Sequence, residues 1–144
     1  MQRSLLDTDI FSEILRGQNH DICSKADAYL DVFGHLTTSA ITITEMVDGL
    51  TRMQREDRIT TLLAELNIKK HECLGLDYHS ATIAGRIFGA LHRLGQPVGN
   101  ADPFIAAIAI EESIPLITGN TKHFQRIQAA GFPLQLENWR VDTT

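Results

Sequence analysis

Segments with apolar residues at helical spacing are separated along this chain by short apolar runs that are typical of strands. Gly17, Gly34 and Gly95 each follow a helical segment, and glycine in this place commonly ends a helix. The pattern predicts strands at residues 4–7, 36–41, 73–76, 115–118 and 134–136. It predicts helices at residues 9–16 and 21–33. Two further helices each place four apolar residues on one face: Ile43, Met46, Val47 and Leu50, and then Ile59, Leu62, Leu63 and Leu66. Asp77 caps another predicted helix, which buries Ile83, Ile87, Leu91 and Leu94.

One further segment, residues 104–110, is apolar on all sides, which predicts a helix buried over most of its surface. Strands that alternate with helices indicate a parallel sheet covered on both faces, a three-layer α/β/α sandwich with about five strands. Binding sites in such sheets lie beyond the carboxyl ends of the strands. The polar residues at those ends are therefore the candidates for function.

Composition limits the classes of protein and of site. The 144 residues suit one domain, and 43% hydrophobic with 22% charged residues is ordinary for a soluble globular protein. No apolar run approaches the roughly 20 residues of a membrane span, and no signal peptide is recognisable, so we expect a cytoplasmic protein. The net charge of −5 argues against nucleic-acid binding by bulk electrostatics. Cys23 and Cys73 lack metal-ligand spacing and are expected to be reduced core residues.

Two acids stand at the end of the first predicted strand. Asp7 directly follows apolar residues of a buried sheet, and a carboxylate there needs a partner, for which a cation is one candidate. Asp9 lies two residues further on. The structural alternative is that Thr8 or Asp9 caps the next helix, which explains Asp9 well and Asp7 poorly.

Three more polar residues recur at later strand-to-helix junctions, and each has a structural alternative. Glu45 completes a capping box in which it would reach back to the amide of Thr42. Asp102 precedes Pro103, the arrangement of a helix cap followed by a favoured first residue. Asn120 is expected in a turn or as a cap. Capping does not exclude metal binding, because a carboxylate has several lone-pair sites.

The joint placement of these residues on one edge of the predicted sheet carries more weight than any one of them. Hard divalent cations prefer oxygen ligands, mainly carboxylates and water. Such cations cleave phosphodiesters by activating the attacking water and stabilising the leaving oxygen. The sequence therefore predicts a Mg²⁺ or Mn²⁺ site at this edge.

Four short segments resemble the motifs of VapC-type PIN domains, in the same order and over nearly the whole chain. The first strand of that family, which ends in an Asp, is similar to LLDTDIFSEILRG here. Its second motif, with a Glu early in a helix, is similar to TSAITITEMVDGL. Its third motif, an Asp before an Ile-Ala-Ala helix, is similar to GNADPFIAAIAI, its fourth to ITGNTKHFQRI, and a common closing strand to LENW.

Carried over by position, this resemblance implies that Asp7, Glu45 and Asp102 are the catalytic acids that bind metal. Asn120 stands where many relatives have a fourth acid and others have Asn, which makes it a fourth candidate for catalysis and metal binding. Thr118 matches a small hydroxyl residue near that site. Asp9 matches a position that is often Asn, so its role stays open.

The resemblance also implies a function and partners. The implied fold is a PIN-like α/β/α sandwich, and the implied activity is that of a Mg²⁺- or Mn²⁺-dependent endoribonuclease, the toxin of a toxin–antitoxin pair. The implied partners are a second copy of the chain, in a homodimer, and a cognate antitoxin that blocks the site. Several relatives cut tRNA. We expect the antitoxin to place an Arg or Lys against the clustered carboxylates.

Two alternatives from other classes stay open at this point. A receiver-like signalling domain is also a parallel α/β sandwich, and Asp77 would be its phosphate acceptor, although Lys122 is a poor match for the Lys it requires. The second alternative is a PIN domain that has lost catalysis and only binds a partner. The retained acids Asp7, Glu45 and Asp102 argue against it.

Overall fold

The computed structural model describes residues 1–68, 71–97 and 101–140, which fold into alternating strands and helices. The strands are β1 (Leu5–Leu6), β2 (Thr37–Ser39), β3 (Glu72–Leu74), β4 (Leu116–Ile117) and β5 (Leu136–Glu137). The helices are α1 (Thr8–Arg16), α2 (His20–Phe33), α3 (Ala40–Arg52), α4 (Glu56–Ile68), α5 (Tyr78–Arg93), α6 (Asp102–Glu112) and α7 (Thr121–Ala129). Gly99 and Asn100 of the third motif lie outside the described residues.

All strand pairs in the described residues are parallel, as predicted, but they form two groups instead of one continuous sheet. Strands β1, β4 and β5 make a three-stranded sheet in that order, and β2 pairs with β3. The hydroxyl of Tyr29 on α2 lies between the groups. It accepts a hydrogen bond from Ser4 N at 3.1 Å and lies 2.9 Å from Thr37 Oγ1, so a side chain links β2 to the segment that begins β1.

The central sheet is covered by helices on both faces, which confirms the layered α/β fold. Side chains of successive strand residues point to opposite faces. Leu5 and Leu116 pack into one core cluster, with the helices α5, α6 and α7. Leu6 and Ile117 pack into the other, with α1, α2 and the buried Trp139. The all-apolar prediction for α6 is confirmed, because its residues from Ile105 to Ala109 are buried.

Several helix ends agree with the sequence pattern, while some predicted burial is wrong. Gly17 and Gly34 end α1 and α2 in the left-handed conformation that favours glycine. Leu94, predicted in the buried stripe of α5, is 59% exposed and lies at the C-cap, where α5 ends. Leu63 and Cys73 are also exposed, so Cys73 is not a core residue. Within the described residues, no helix is both long and apolar enough to span a membrane.

Candidate functional site

Asp7 lies at the carboxyl end of β1 and is itself the N-cap of α1, so the structural alternative, in which Thr8 or Asp9 caps this helix, is wrong. Its Oδ1 accepts a hydrogen bond from Thr8 N at 2.8 Å, and its Oδ2 accepts one from the Thr118 hydroxyl at 2.8 Å. Thr118 follows β4, the strand that pairs with β1. Two neighbouring strand ends therefore fix the Asp7 carboxylate, which is only 6% exposed.

The surroundings of Asp7 disfavour its charge. Burial is the largest cause, and together with the nearby carboxylates of Asp9 and Asp102 it raises the pKa of Asp7 from 3.8 to about 7. The hydrogen bonds from Thr118 and Thr8 act in the opposite direction but are weaker. A cation placed among these carboxylates would offset the free-energy cost of ionising Asp7.

Asp102 is the second buried acid of the site, 7% exposed. It is the first residue of α6, and Ala101 takes the cap position with no side-chain hydrogen bond. The structural alternative, in which Asp102 caps the helix, is therefore wrong, because the helix begins one residue earlier than the cap pattern implied. Its Oδ2 lies 3.4 Å from His123 Nδ1 on α7.

Glu45 does not form the predicted capping box. Ser39 is the N-cap of α3, and its hydroxyl accepts a hydrogen bond from Thr42 N at 3.1 Å. The helix thus begins at Ala40, earlier than predicted, and Glu45 lies in its second turn. There the half-buried Glu45 accepts a hydrogen bond from the Thr8 hydroxyl at 2.7 Å. Thr8 directly follows Asp7 in the chain.

Asn120 is exposed and stands at the cap position of α7 without a side-chain capping bond. Its Nδ2 lies 2.9 Å from His123 Nδ1, the same ring nitrogen that lies 3.4 Å from Asp102 Oδ2, so Asn120 and Asp102 share this imidazole as a neighbour. His123 was not predicted as a site residue. The available signal was its place three residues after Asn120, which puts both side chains on the first turn of one helix.

Asp9, whose role the sequence left open, contributes to the raised pKa of Asp7 and contacts two backbone amides. Its Oδ1 accepts from Ile10 N at 2.8 Å, and its Oδ2 accepts from Gly119 N at 3.0 Å. The same Oδ2 lies 3.3 Å from Arg140 Nη1. Arg140 is a second residue that the sequence did not indicate, because it is 131 positions away from Asp9.

The structure thus brings the predicted residues to one end of the sheet through shared neighbours. Asp7 and Asp102 are close enough to influence each other's charge, Glu45 is tied to Thr8, and Asn120 to His123. In the part of the chain that the structure describes, no three His, Cys, Asp or Glu side chains already converge on one metal position. The donors that meet here are oxygens, which suit a hard divalent cation.

A family model described as PIN domain matches residues 4–130. The chain is 30% identical over 106 residues to a tRNA(fMet)-specific endonuclease VapC of Shigella flexneri, covering 74% of this chain and 76% of the relative. It is 29% identical over 145 residues to ribonuclease VapC2 of Haemophilus influenzae, covering 96% and 99% of the two chains.

Solved structures show the same fold. VapBC-1 from nontypeable Haemophilus influenzae superposes with a TM-score of 0.77 at 27% identity, over 96% of this chain and 98% of that one. DNA-bound VapBC from Salmonella typhimurium gives a TM-score of 0.78 at 24% identity, over 96% and 99%. These matches exclude the receiver-like alternative, and Asp77, its required phosphate acceptor, instead caps α5 in a capping box with Ser80.

Proposed function

Since the chain belongs to the PIN domain family, we propose that it is a ribonuclease of the VapC type, an endoribonuclease that acts as the toxin of a toxin–antitoxin pair. Its relatives in Shigella flexneri and Haemophilus influenzae are named as VapC endonucleases or ribonucleases. The observation in this chain that carries the proposal is the buried pair Asp7 and Asp102. These carboxylates come from distant parts of the sequence, and the charge of Asp102 contributes to the raised pKa of Asp7.

A divalent cation fits this pair. A cation between two buried carboxylates offsets the repulsion of their like charges, and Mg²⁺ or Mn²⁺ is bound in proteins by such oxygens. Asp7 and Asp102 would hold the ion, with Glu45 and Asn120 at its periphery. When bound, the ion supplies a water of lowered pKa as the nucleophile and neutralises charge on the phosphate.

The other side chains orient these ligands. Thr118 donates to one carboxylate oxygen of Asp7 and Thr8 N to the other, which fixes the plane of that carboxylate. The hydroxyl of Thr8 holds Glu45, and its oxygen is also 3.0 Å from Thr42 Oγ1. Replacing groups that fix ligands in this way typically lowers metal affinity by about 10–100-fold.

The substrate and partners follow from the same comparison. The substrate is RNA, and tRNA is the first class to test because the Shigella flexneri relative is named for a tRNA. The solved VapBC structures support a cognate antitoxin, which would place an Arg or Lys against Asp7 and Asp102. We also expect a homodimer that acts in the cytoplasm.

The test is cleavage of a tRNA pool by the purified chain, with Mg²⁺, with Mn²⁺ and with EDTA. We expect cleavage with either ion, none with EDTA, and loss of cleavage in Asp7→Asn and in Asp102→Asn. Each substitution removes a charge and preserves shape. Asp31→Asn is the matched control, because Asp31 is an exposed acid on α2.

Two results would contradict the proposal. Cleavage that persists in EDTA would show that the reaction does not require a divalent cation. A well-folded wild type that cuts no RNA, yet binds an antitoxin, would favour the PIN domain without catalysis. Thermal melting of every variant separates loss of function from loss of fold.

A further inference from the structure

Arg140 reaches the candidate site from the opposite end of the described chain. Its Nη1 lies 3.3 Å from Asp9 Oδ2, and its Nη2 lies 3.5 Å from Glu13 Oε1, one turn further along α1. The backbone before Arg140 is fixed, because Trp139 is buried in the core and Arg140 N donates to Asn138 Oδ1 at 2.9 Å. An anchored segment therefore presents the guanidinium to α1.

Gly119 provides the space for this contact. A Cβ at Gly119 would overlap Arg140 Nη1 and would lie 2.7 Å from Asp9 Oδ2. Its backbone conformation is not one that requires glycine, so the reason for glycine here is the close approach of the guanidinium and the carboxylate. Any side chain at this position would push Arg140 away from Asp9.

The same contacts hold the turn between β4 and α7. Asp9 Oδ2 accepts from Gly119 N at 3.0 Å while it faces Arg140. The residue before Gly119 is Thr118, whose hydroxyl donates to Asp7 at 2.8 Å and accepts from Asn120 N at 3.0 Å. The position of this turn therefore decides how Asp7 is oriented.

We propose that Arg140 is a positioning residue for cleavage: by pairing with Asp9 across Gly119, it holds the turn so that the Thr118 hydroxyl orients Asp7. We call these three residues the Asp9–Gly119–Arg140 clamp. In it Asp9 is a structural partner and not a metal ligand. The inference rests on the proposed function for its catalytic consequence, but the clamp itself is a separate structural claim.

The charges of the clamp make a rescue possible. Loss of Arg140 removes the guanidinium that neutralises the Asp9 carboxylate. The negative charge of Asp9 then repels that of the nearby Asp7. An Asn at position 9 carries no charge, and its single amide oxygen can accept from Gly119 N if it gives up the bond from Ile10 N. Asp9→Asn should therefore restore much of what Arg140→Ala removes.

The first experiment measures kcat and KM over a range of concentrations of an RNA oligonucleotide, with excess Mg²⁺. We expect Arg140→Ala to lower kcat about tenfold, a usual size for coupled neighbours, with KM unchanged. The double variant Asp9→Asn/Arg140→Ala should recover to within about threefold of wild type. Gly119→Ala should lower kcat similarly, and adding Arg140→Ala to it should cost nothing more. Arg126→Ala, an exposed arginine on α7, is the matched control.

The second experiment measures hydrogen exchange of two amides without metal or RNA. In Arg140→Ala the Gly119 amide should exchange faster, while the Thr118 amide, bonded to Glu137 O at 2.9 Å in the sheet, should keep its rate. Equal protection of Gly119 in both proteins would overturn the clamp. An increase in KM alone in Arg140→Ala would also overturn the clamp, because it would indicate a contact with an RNA phosphate. A kcat of Asp9→Asn/Arg140→Ala no higher than that of Arg140→Ala would overturn it as well. If wild type cuts no RNA, the proposed function fails while exchange still decides the clamp.

Discussion

Replacing Asp7 with Asn should stabilise the metal-free protein, and the gain should depend on pH. The pKa of Asp7 is raised by burial from 3.8 to about 7, so the folded state binds a proton that the unfolded state releases. Ionisation therefore costs nothing below about pH 4, costs more as the pH rises towards 7, and reaches its full value above 7. Asn cannot ionise and avoids this cost.

The size of the effect follows from the shift. At about 1.4 kcal/mol per pKa unit, a rise from 3.8 to about 7 corresponds to about 4 kcal/mol of unfolding free energy at pH 8. Asn keeps an oxygen for Thr8 N, and any other effect of the substitution is present at every pH. The gain of Asp7→Asn over wild type should therefore grow by up to about 4 kcal/mol between pH 4 and pH 8.

The assay is urea unfolding of both proteins in EDTA at several pH values, with Asp31→Asn as the control. In a parallel series without EDTA, free Mn²⁺ at 100 times its dissociation constant should stabilise wild type by about 2.7 kcal/mol and leave Asp7→Asn unchanged. A difference between the two proteins that stays constant from pH 4 to pH 8 would refute the reasoning, because it would show that Asp7 is not forced to ionise against its surroundings.

Three further outcomes are expected. Asn120→Asp should lower the Mg²⁺ concentration needed for half-maximal cleavage, because a carboxylate binds a hard cation more strongly than an amide, and an unchanged requirement would make Asn120 a turn residue only. Tyr29→Phe should lower the unfolding free energy by about 1–3 kcal/mol, measured in urea, because it leaves Ser4 N without its acceptor, and kcat should not change. Expression of the chain alone should inhibit growth, measured as culture density, and Asp7→Ala should relieve it; a harmless, abundant and folded wild type would contradict this.

The sequence pattern was most informative where one residue type has one physical use. Gly17 and Gly34 end helices because they adopt the left-handed conformation easily, and a helix that is apolar on all sides, such as α6, is buried over most of its surface. Asp7 was identifiable for the same reason, since a carboxylate directly after a buried strand requires a partner.

The pattern failed where several residues compete for one local role or where the partner is distant in sequence. Ser39 and Thr42 both suit the N-cap of α3, and only the structure shows that Ser39 takes it, which frees Glu45 to bind Thr8. Asp9 and Arg140 are brought together by the packing of Trp139, and no local pattern encodes that contact.

The central claim is that Asp7 and Asp102 together hold a divalent cation, and its most direct test is the anomalous scattering of Mn²⁺ in a crystal of this protein. We expect a peak between the two carboxylates, at about 2.0–2.4 Å from an oxygen of each, as for hard cations on oxygen ligands. The same peak should be missing in Asp7→Asn crystals treated identically. A peak bound elsewhere, or none at a Mn²⁺ concentration that supports cleavage, would contradict the assignment of these two acids.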